Sequence, residues 1–182
     1  AESKPDIDQY SITVPRLEKE EATLRILRSG VFERVIIFCN TKVMCQNLSD
    51  ALRRSGIQAD CLHGDIKQAT REKTMADFRH GKLPVLIATD VAARGIDVDD
   101  VDAVINYDVP DENEYYIHRI GRTGRARKKG ISFTLIGSLP ERVKLDEIAK
   151  FAEFHITPMI FDEYGCLVPA PVEEKHPPRK RF

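Results

Sequence analysis

No apolar run in this chain approaches the roughly 20 residues that cross a bilayer, and its first eight residues are polar. Both absences argue against a membrane span or a secretory leader, and the expected compartment is the cytoplasm, with the nucleus still open. The four cysteines, Cys39, Cys45, Cys61 and Cys166, show no CxxC pairing. They read as reduced and buried, with neither zinc nor a disulfide among them. GxxxxGKS and GxxxxGKT are absent, and no paired acidic cluster closes a buried strand-like run. The chain alone therefore has no loop to wrap a triphosphate and no evident holder for Mg²⁺, so it is not a complete nucleotide hydrolase. A surplus of positive charge is missing too, because 28 Lys and Arg against 29 Asp and Glu leave a net charge of -1. Any grip on nucleic acid has to come from a local patch.

Such a patch is present. From Arg119 to Lys129 there are six cationic side chains and no acidic one, within His118-Arg119-Ile120-Gly121-Arg122-Thr123-Gly124-Arg125 and the Ala126-Arg127-Lys128-Lys129 that follows. Arginines at spacing three, with glycines between them, can hold several guanidinium forks on an exposed turn, a geometry suited to phosphate. A solvated basic loop is the competing reading.

The rest of the chain, 182 residues with 42% hydrophobic and 31% charged, is enough for one domain with a full core. Residues 1–8 read as a linker. Strand-length apolar runs are expected at 9–14, 35–39, 57–62, 84–88, 101–106 and 131–136, and amphipathic helices at 17–27, 41–54, 69–80 and 140–154. Asn40-Thr41 is a good N-cap, and Gly30, Gly56 and Gly81 close the helices before them. Asp111 with Glu114 has the spacing of a capping box and predicts the start of the helix that carries Tyr115, Tyr116 and His118. Strand and helix in alternation predict an α/β fold with a parallel, doubly wound sheet, whose ligands lie beyond the carboxyl ends of the strands. Residues 159–168 are apolar enough to cover a sheet edge or a partner, and the proline-rich tail ends in Arg179-Lys180-Arg181.

The polar segments His63-Gly64-Asp65, Gln68-Ala69-Thr70-Arg71 and Thr89-Asp90 through Asp97 follow predicted strands, and the basic stretch is expected to end near the same rim. Glycine for close backbone approach, threonine for a neutral hydroxyl and arginine for a planar fork suit a sugar-phosphate chain better than base edges. Aromatic side chains are missing from these loops, which points away from base stacking and towards binding indifferent to sequence.

Taken together, Val35 to Thr41, Gln68-x-x-Arg71, Ala88-Thr89-Asp90-Val91-Ala92-Ala93-Arg94-Gly95-Ile96-Asp97 and His118 to Arg125 resemble motifs IV, IVa, V and VI of the C-terminal RecA-like domain of a DEAD-box RNA helicase. The resemblance covers residues 9–160, with 161–182 as a partly disordered extension, and His118 favours the DEAD-box branch over the DEAH branch. It implies a RecA-like, doubly wound α/β fold and a missing N-terminal RecA-like domain that holds most of ATP and its Mg²⁺. It further implies that Arg122 and Arg125 reach the γ-phosphate, that Gly95 and Asp97 approach the ribose, and that His118 and Arg119 touch the other domain. Gly64, Asp65, Arg71 and Thr89 would line a groove for the RNA backbone. The residues themselves leave plainer readings open: Arg71 paired with Glu72 or Glu33, Asp97 as a turn residue, His118 as a packed helix residue. A non-catalytic RecA-like module that docks RNA or protein, and a DNA-acting motor, are the rival functions.

Overall fold

The computed structural model describes residues 6–30, 32–96, 98–124 and 129–171. Its centre is a sheet that begins with β1 (Ile7–Thr13) and gains β2 (Val35–Phe38), β3 (Ala59–Leu62), β4 (Val85–Ala88), β5 (Ala103–Asn106) and β6 (Gly130–Ile136). The spatial order is β3-β4-β2-β5-β6-β1-β7-β8, where β7 (Thr157–Phe161) and β8 (Leu167–Pro169) close the chain. Every pairing is parallel except β7 with β8. Strands β2, β4 and β5 are buried at every position, which is why each reads in the sequence as an unbroken apolar run.

Alternate residues of one strand belong to different cores. Val35 and Ile37 join α1 (Lys19–Ser29) and α2 (Lys42–Arg54) through Leu24, Ile26, Leu48 and Leu52. Ile36 and Phe38 join α3 (Gln68–Arg79) and the short α4 (Asp90–Ala93) through Met75, Phe78, Ala92 and Ala93. Period-two alternation puts these clusters on opposite faces. Leu135 lies in the first cluster and Ile136 in a third with α5 (Asn113–Ile120) and α6 (Leu139–Ala152), so those two helices lie opposite α1 and α2. This is the doubly wound α/β arrangement that the alternation predicts.

Four local expectations need correction. Helix α5 starts at Asn113 with Glu112 as N-cap and no side-chain cap bond, so Asp111 and Glu114 form no capping box. The reciprocal pair sits at α6: the Ser138 hydroxyl accepts from the Glu141 amide at 3.3 Å, and a Glu141 carboxylate oxygen accepts from the Gly137 amide at 3.1 Å. Strand β1 begins at Ile7, inside the expected linker, and the sheet runs on through Pro169, past the expected domain boundary at 160, because 159–168 turns back as the β7–β8 hairpin. Cys166 is exposed, whereas Cys39, Cys45 and Cys61 are buried and all four thiols are free. Burial, with the Asp108 charge adding to it, pushes the Cys39 thiol up. No helix among the described residues is long and apolar enough to cross a membrane.

Candidate nucleotide and nucleic-acid interface

The carboxyl ends of β3, β4, β2 and β5 deliver His63-Gly64-Asp65, Thr89-Asp90, Asn40-Thr41 and Tyr107-Asp108 to one rim. The Thr89 amide donates to the Leu62 carbonyl at 3.3 Å, which ties two of these exits together. Threonines cap both helices that start here: Thr41 accepts from the Met44 amide and Thr89 from the Ala92 amide. Gly64 and Asp65 are exposed. A side chain at Gly64 would meet nothing within 4 Å, so packing inside the domain does not require glycine there. Arg71, on α3, pairs with neither glutamate but donates through Nη2 to the Ala92 carbonyl at 2.6 Å. It also lies 3.6 Å from where a Cβ on Gly95 would stand. Arg71 and Gly95 thus meet over α4.

The basic stretch does not end at this rim. Helix α5 leaves the carboxyl end of β5, crosses the face of the sheet and stops at the amino ends of the strands. There Val101 donates to the Arg122 carbonyl, the Thr123 hydroxyl donates to the Val101 carbonyl at 2.6 Å, and a Cβ on Gly124 would stand 2.8 Å from the Asp6 carbonyl oxygen. The expectation of one shared rim is therefore replaced by two places. They are joined by α4 and the residues after it, from Thr89 at the rim to Ile96, whose carbonyl accepts from Arg122.

Arg119 is the main correction to the site. It was expected at the opposing domain, but it is 1% exposed. Nε and Nη2 hold both carboxylate oxygens of Asp90 at 2.7 Å. Nη2 also reaches Asn40 Oδ1 at 2.7 Å, and Nη1 the Asp108 carbonyl at 2.8 Å. The guanidinium lies 5.3 Å from the Phe38 ring centroid. A planar fork with five N–H donors can satisfy several loops at once, as no ammonium can. Asn40 and Asp90, which the sequence marks only as a cap and a turn, are the partners that hold it. A carboxylate directly after the exit of a buried strand, together with an arginine in the last turn of a later helix, is the signal that points to such a pair.

Arg122 donates to the carbonyls of Ile96 at 2.7 Å, Ala93 at 2.9 Å and Val98 at 3.4 Å. It therefore holds the loop after α4. Arg94 packs over the Tyr115 ring at 5.3 Å and donates to its hydroxyl at 3.0 Å. His118 is exposed. Asp90, Arg94, Tyr115, His118, Arg119 and Arg122 line a cleft of 190 Å³, and in it motifs V and VI face one another. Asp97 and Arg125 lie outside the described residues. Among the described residues no group of three or more His, Cys, Asp and Glu side chains could hold a metal ion.

At the other end of the rim Lys19, 3% exposed, donates to the Tyr107 carbonyl at 2.8 Å and to Glu141 at 2.9 Å. Burial works to raise the Glu141 carboxyl, but the Lys19 ammonium and the Gly137 and Val109 amides outweigh it and leave the group below its ordinary value. A second cleft of 640 Å³ opens over this pair.

Residues 18–127 match the family model of the helicase conserved C-terminal domain. The chain belongs to that family, in its DEAD-box branch. It is 47% identical over 154 residues to the ATP-dependent RNA helicase FAL1 of Saccharomyces cerevisiae, covering 84% of this chain and 38% of that protein. Against the C-terminal domain of the DEAD-box protein Dbp5 the identity is 33% and the TM-score 0.79, with 88% of this chain and 93% of that one covered. Against S. cerevisiae Dbp5 bound to RNA and ADP BeF3 the values are 32% and 0.82, with 89% and 44% covered. The chain spans well under half the length of the curated relatives it matches. The RecA-like fold follows from these likenesses as well as from the sheet.

Proposed function

We propose that this chain is one half of an ATP-dependent RNA helicase, joined to an N-terminal RecA-like domain that holds most of ATP and its Mg²⁺. The observation that carries this reading is the α4 segment. It starts at the rim where Gly64, Asp65, Arg71 and Thr89 offer amides, a hydroxyl and a guanidinium to an RNA backbone, and it ends on Arg122. RNA at one end and nucleotide at the other would therefore act on the same short piece of chain. The Dbp5 structure with RNA and ADP BeF3 supports carrying these ligands over to this fold.

In the lone domain Arg122 is taken up by neutral carbonyls. A γ-phosphate would compete well for it, because hydrogen bonds to an anion are roughly twice as strong as neutral ones. Arg122, with Arg125, would then stabilise charge as it builds on the transferred phosphoryl group. Asp97 and the open backbone at Gly95 would meet the ribose, and exposed His118 would touch the facing domain. Closing on ATP would bend one strand of a short duplex, and hydrolysis would release it.

The test is RNA-stimulated ATP turnover by this chain alone and with an N-terminal RecA-like domain supplied. Turnover is expected only from the pair, and Arg122→Ala should lower kcat by about 10³-fold or more. Substantial turnover by the lone chain would sink the half-site reading. An Arg122→Ala variant with unaltered kcat would favour a non-catalytic docking module in which Arg122 only packs the α4 loop.

A further inference from the structure

Behind the Gly64-Asp65 loop a chain of side-chain hydrogen bonds has both of its ends fixed by chemistry. At one end the Asp50 carboxylate can only accept, and it accepts from Gln46 Nε2 at 3.1 Å. The Gln46 amide is thereby oriented with Oε1 turned towards β3, where it accepts from the Cys61 thiol at 3.4 Å and faces His63 Nε2 at 3.1 Å. An oxygen there requires His63 to carry its proton on Nε2. At the other end the Asp65 backbone amide can only donate, and it donates to His63 Nδ1 at 3.2 Å. That nitrogen must be bare. The two ends thus impose the same neutral ring, and both the Nδ1–H tautomer and the imidazolium would set one hydrogen against another. His63 is 7% exposed, although the loop after it is open to solvent.

We propose that Gln46 and His63 are positioning residues for RNA binding, fixing the Asp65 amide and hence the attitude of the exposed Gly64-Asp65 backbone towards a phosphate. The inference rests on the reading of that loop as part of the RNA groove. Neither residue touches RNA. The relay acts through the tautomer; the Ile66 amide, which donates to the His63 carbonyl at 3.2 Å, closes the turn around the loop but leaves the Asp65 amide to His63 Nδ1. The Lys42–Asp65 ion pair at 3.2 Å is exposed at both ends and restrains the Asp65 side chain, not its amide.

Two substitutions separate positioning from mere packing. The Oδ1 of an asparagine stands close to where Nδ1 of the ring stands and can accept from the Asp65 amide, whereas the longer glutamine mimics Nε2 and leaves that amide bare. In the two-domain protein, His63→Gln should raise the RNA concentration for half-maximal ATPase stimulation about fivefold, the scale of one such hydrogen bond, with kcat at saturating RNA unchanged. His63→Asn should recover most of the loss. Long-range nitrogen–proton NMR spectra of this chain should show a neutral His63 ring protonated at Nε2, passing to mixed tautomers in Gln46→Leu.

A ring protonated at Nδ1, or Asn and Gln variants that are equally impaired, would overturn the relay. A wild-type two-domain protein that RNA fails to stimulate, with His63 still protonated at Nε2, would instead overturn the RNA reading of the loop and with it the purpose assigned to the relay.

Discussion

Two buried cations support the carboxyl rim, and they do so in different ways. Arg119 gathers the exits of β2, β4 and β5 by binding Asn40, Asp90 and Asp108. Lys19 ties α1 to the β5 exit and to the first turn of α6 through the Tyr107 carbonyl and Glu141. They nearly meet at Asp108, whose carbonyl serves Arg119 and whose carboxylate lies 3.9 Å from Lys19. The forked cation sits under the segments proposed to face ligand, and the point charge sits under a joint between helices. Where three loops must keep a fixed mutual geometry, the fan of donors on a guanidinium serves; where two elements need only be held, an ammonium suffices.

This contrast can be broken at three points. The largest effect is expected from Arg119→Met, which leaves the Asp90 carboxylate without its partner and should cost about 4 to 5 kcal/mol in urea unfolding. RNA-stimulated turnover of the two-domain form should be lost along with it, and Arg119→Lys should restore part of the stability but little of the turnover. Full activity in the lysine variant would erase the distinction between fork and point charge. Next, Lys19→Met should cost about 3 kcal/mol by stranding Glu141. Turnover measured below its melting point should nevertheless stay within about twofold, because the pair touches none of the arginine-lined cleft.

The smallest effect concerns acid. The folded Glu141 carboxyl lies below its ordinary value, so its stabilisation is complete above the unfolded value of about 4.3 and is lost as pH falls through the folded one. Glu141→Gln, which keeps a carbonyl oxygen to accept from the Lys19 ammonium, should cost less than Lys19→Met, about 1.5 kcal/mol at neutral pH. The melting temperature of this variant should fall less steeply than that of the wild type between about pH 5 and 3. Parallel curves would place the acid sensitivity elsewhere.

What the sequence made legible follows from how local each cause is. Runs such as Val35-Ile36-Ile37-Phe38 announce a strand covered on both faces, and Thr41 announces the helix it caps, because both causes lie within a few residues. The role of Arg119 was illegible for the opposite reason: its partners Asn40 and Asp90 lie 79 and 29 residues away, and only the fold brings them under one guanidinium. The misplaced capping box has a related origin. Asp111 and Glu114 have the right spacing, but the chain stays out of helical geometry through Glu112, whereas Ser138 and Glu141 have the same spacing at a true helix start. The apolar character of 159–168 was visible, with a sheet edge or a partner as what it would cover, but its form as a hairpin beside β1 was not, since a sheet edge is defined by what is already paired.

That last pairing has a mechanical consequence. Strand β1 is bonded to β6 along its whole length and to β7 over Tyr10, Ser11 and Ile12. Without the β7–β8 hairpin it would be an edge strand held on one side. With the hairpin, tension applied ahead of Ile7 acts along the strand axis against two parallel neighbours, so the hydrogen bonds bear the load in shear and together instead of opening one after another. The segment through which force would enter the domain is also among its most firmly anchored.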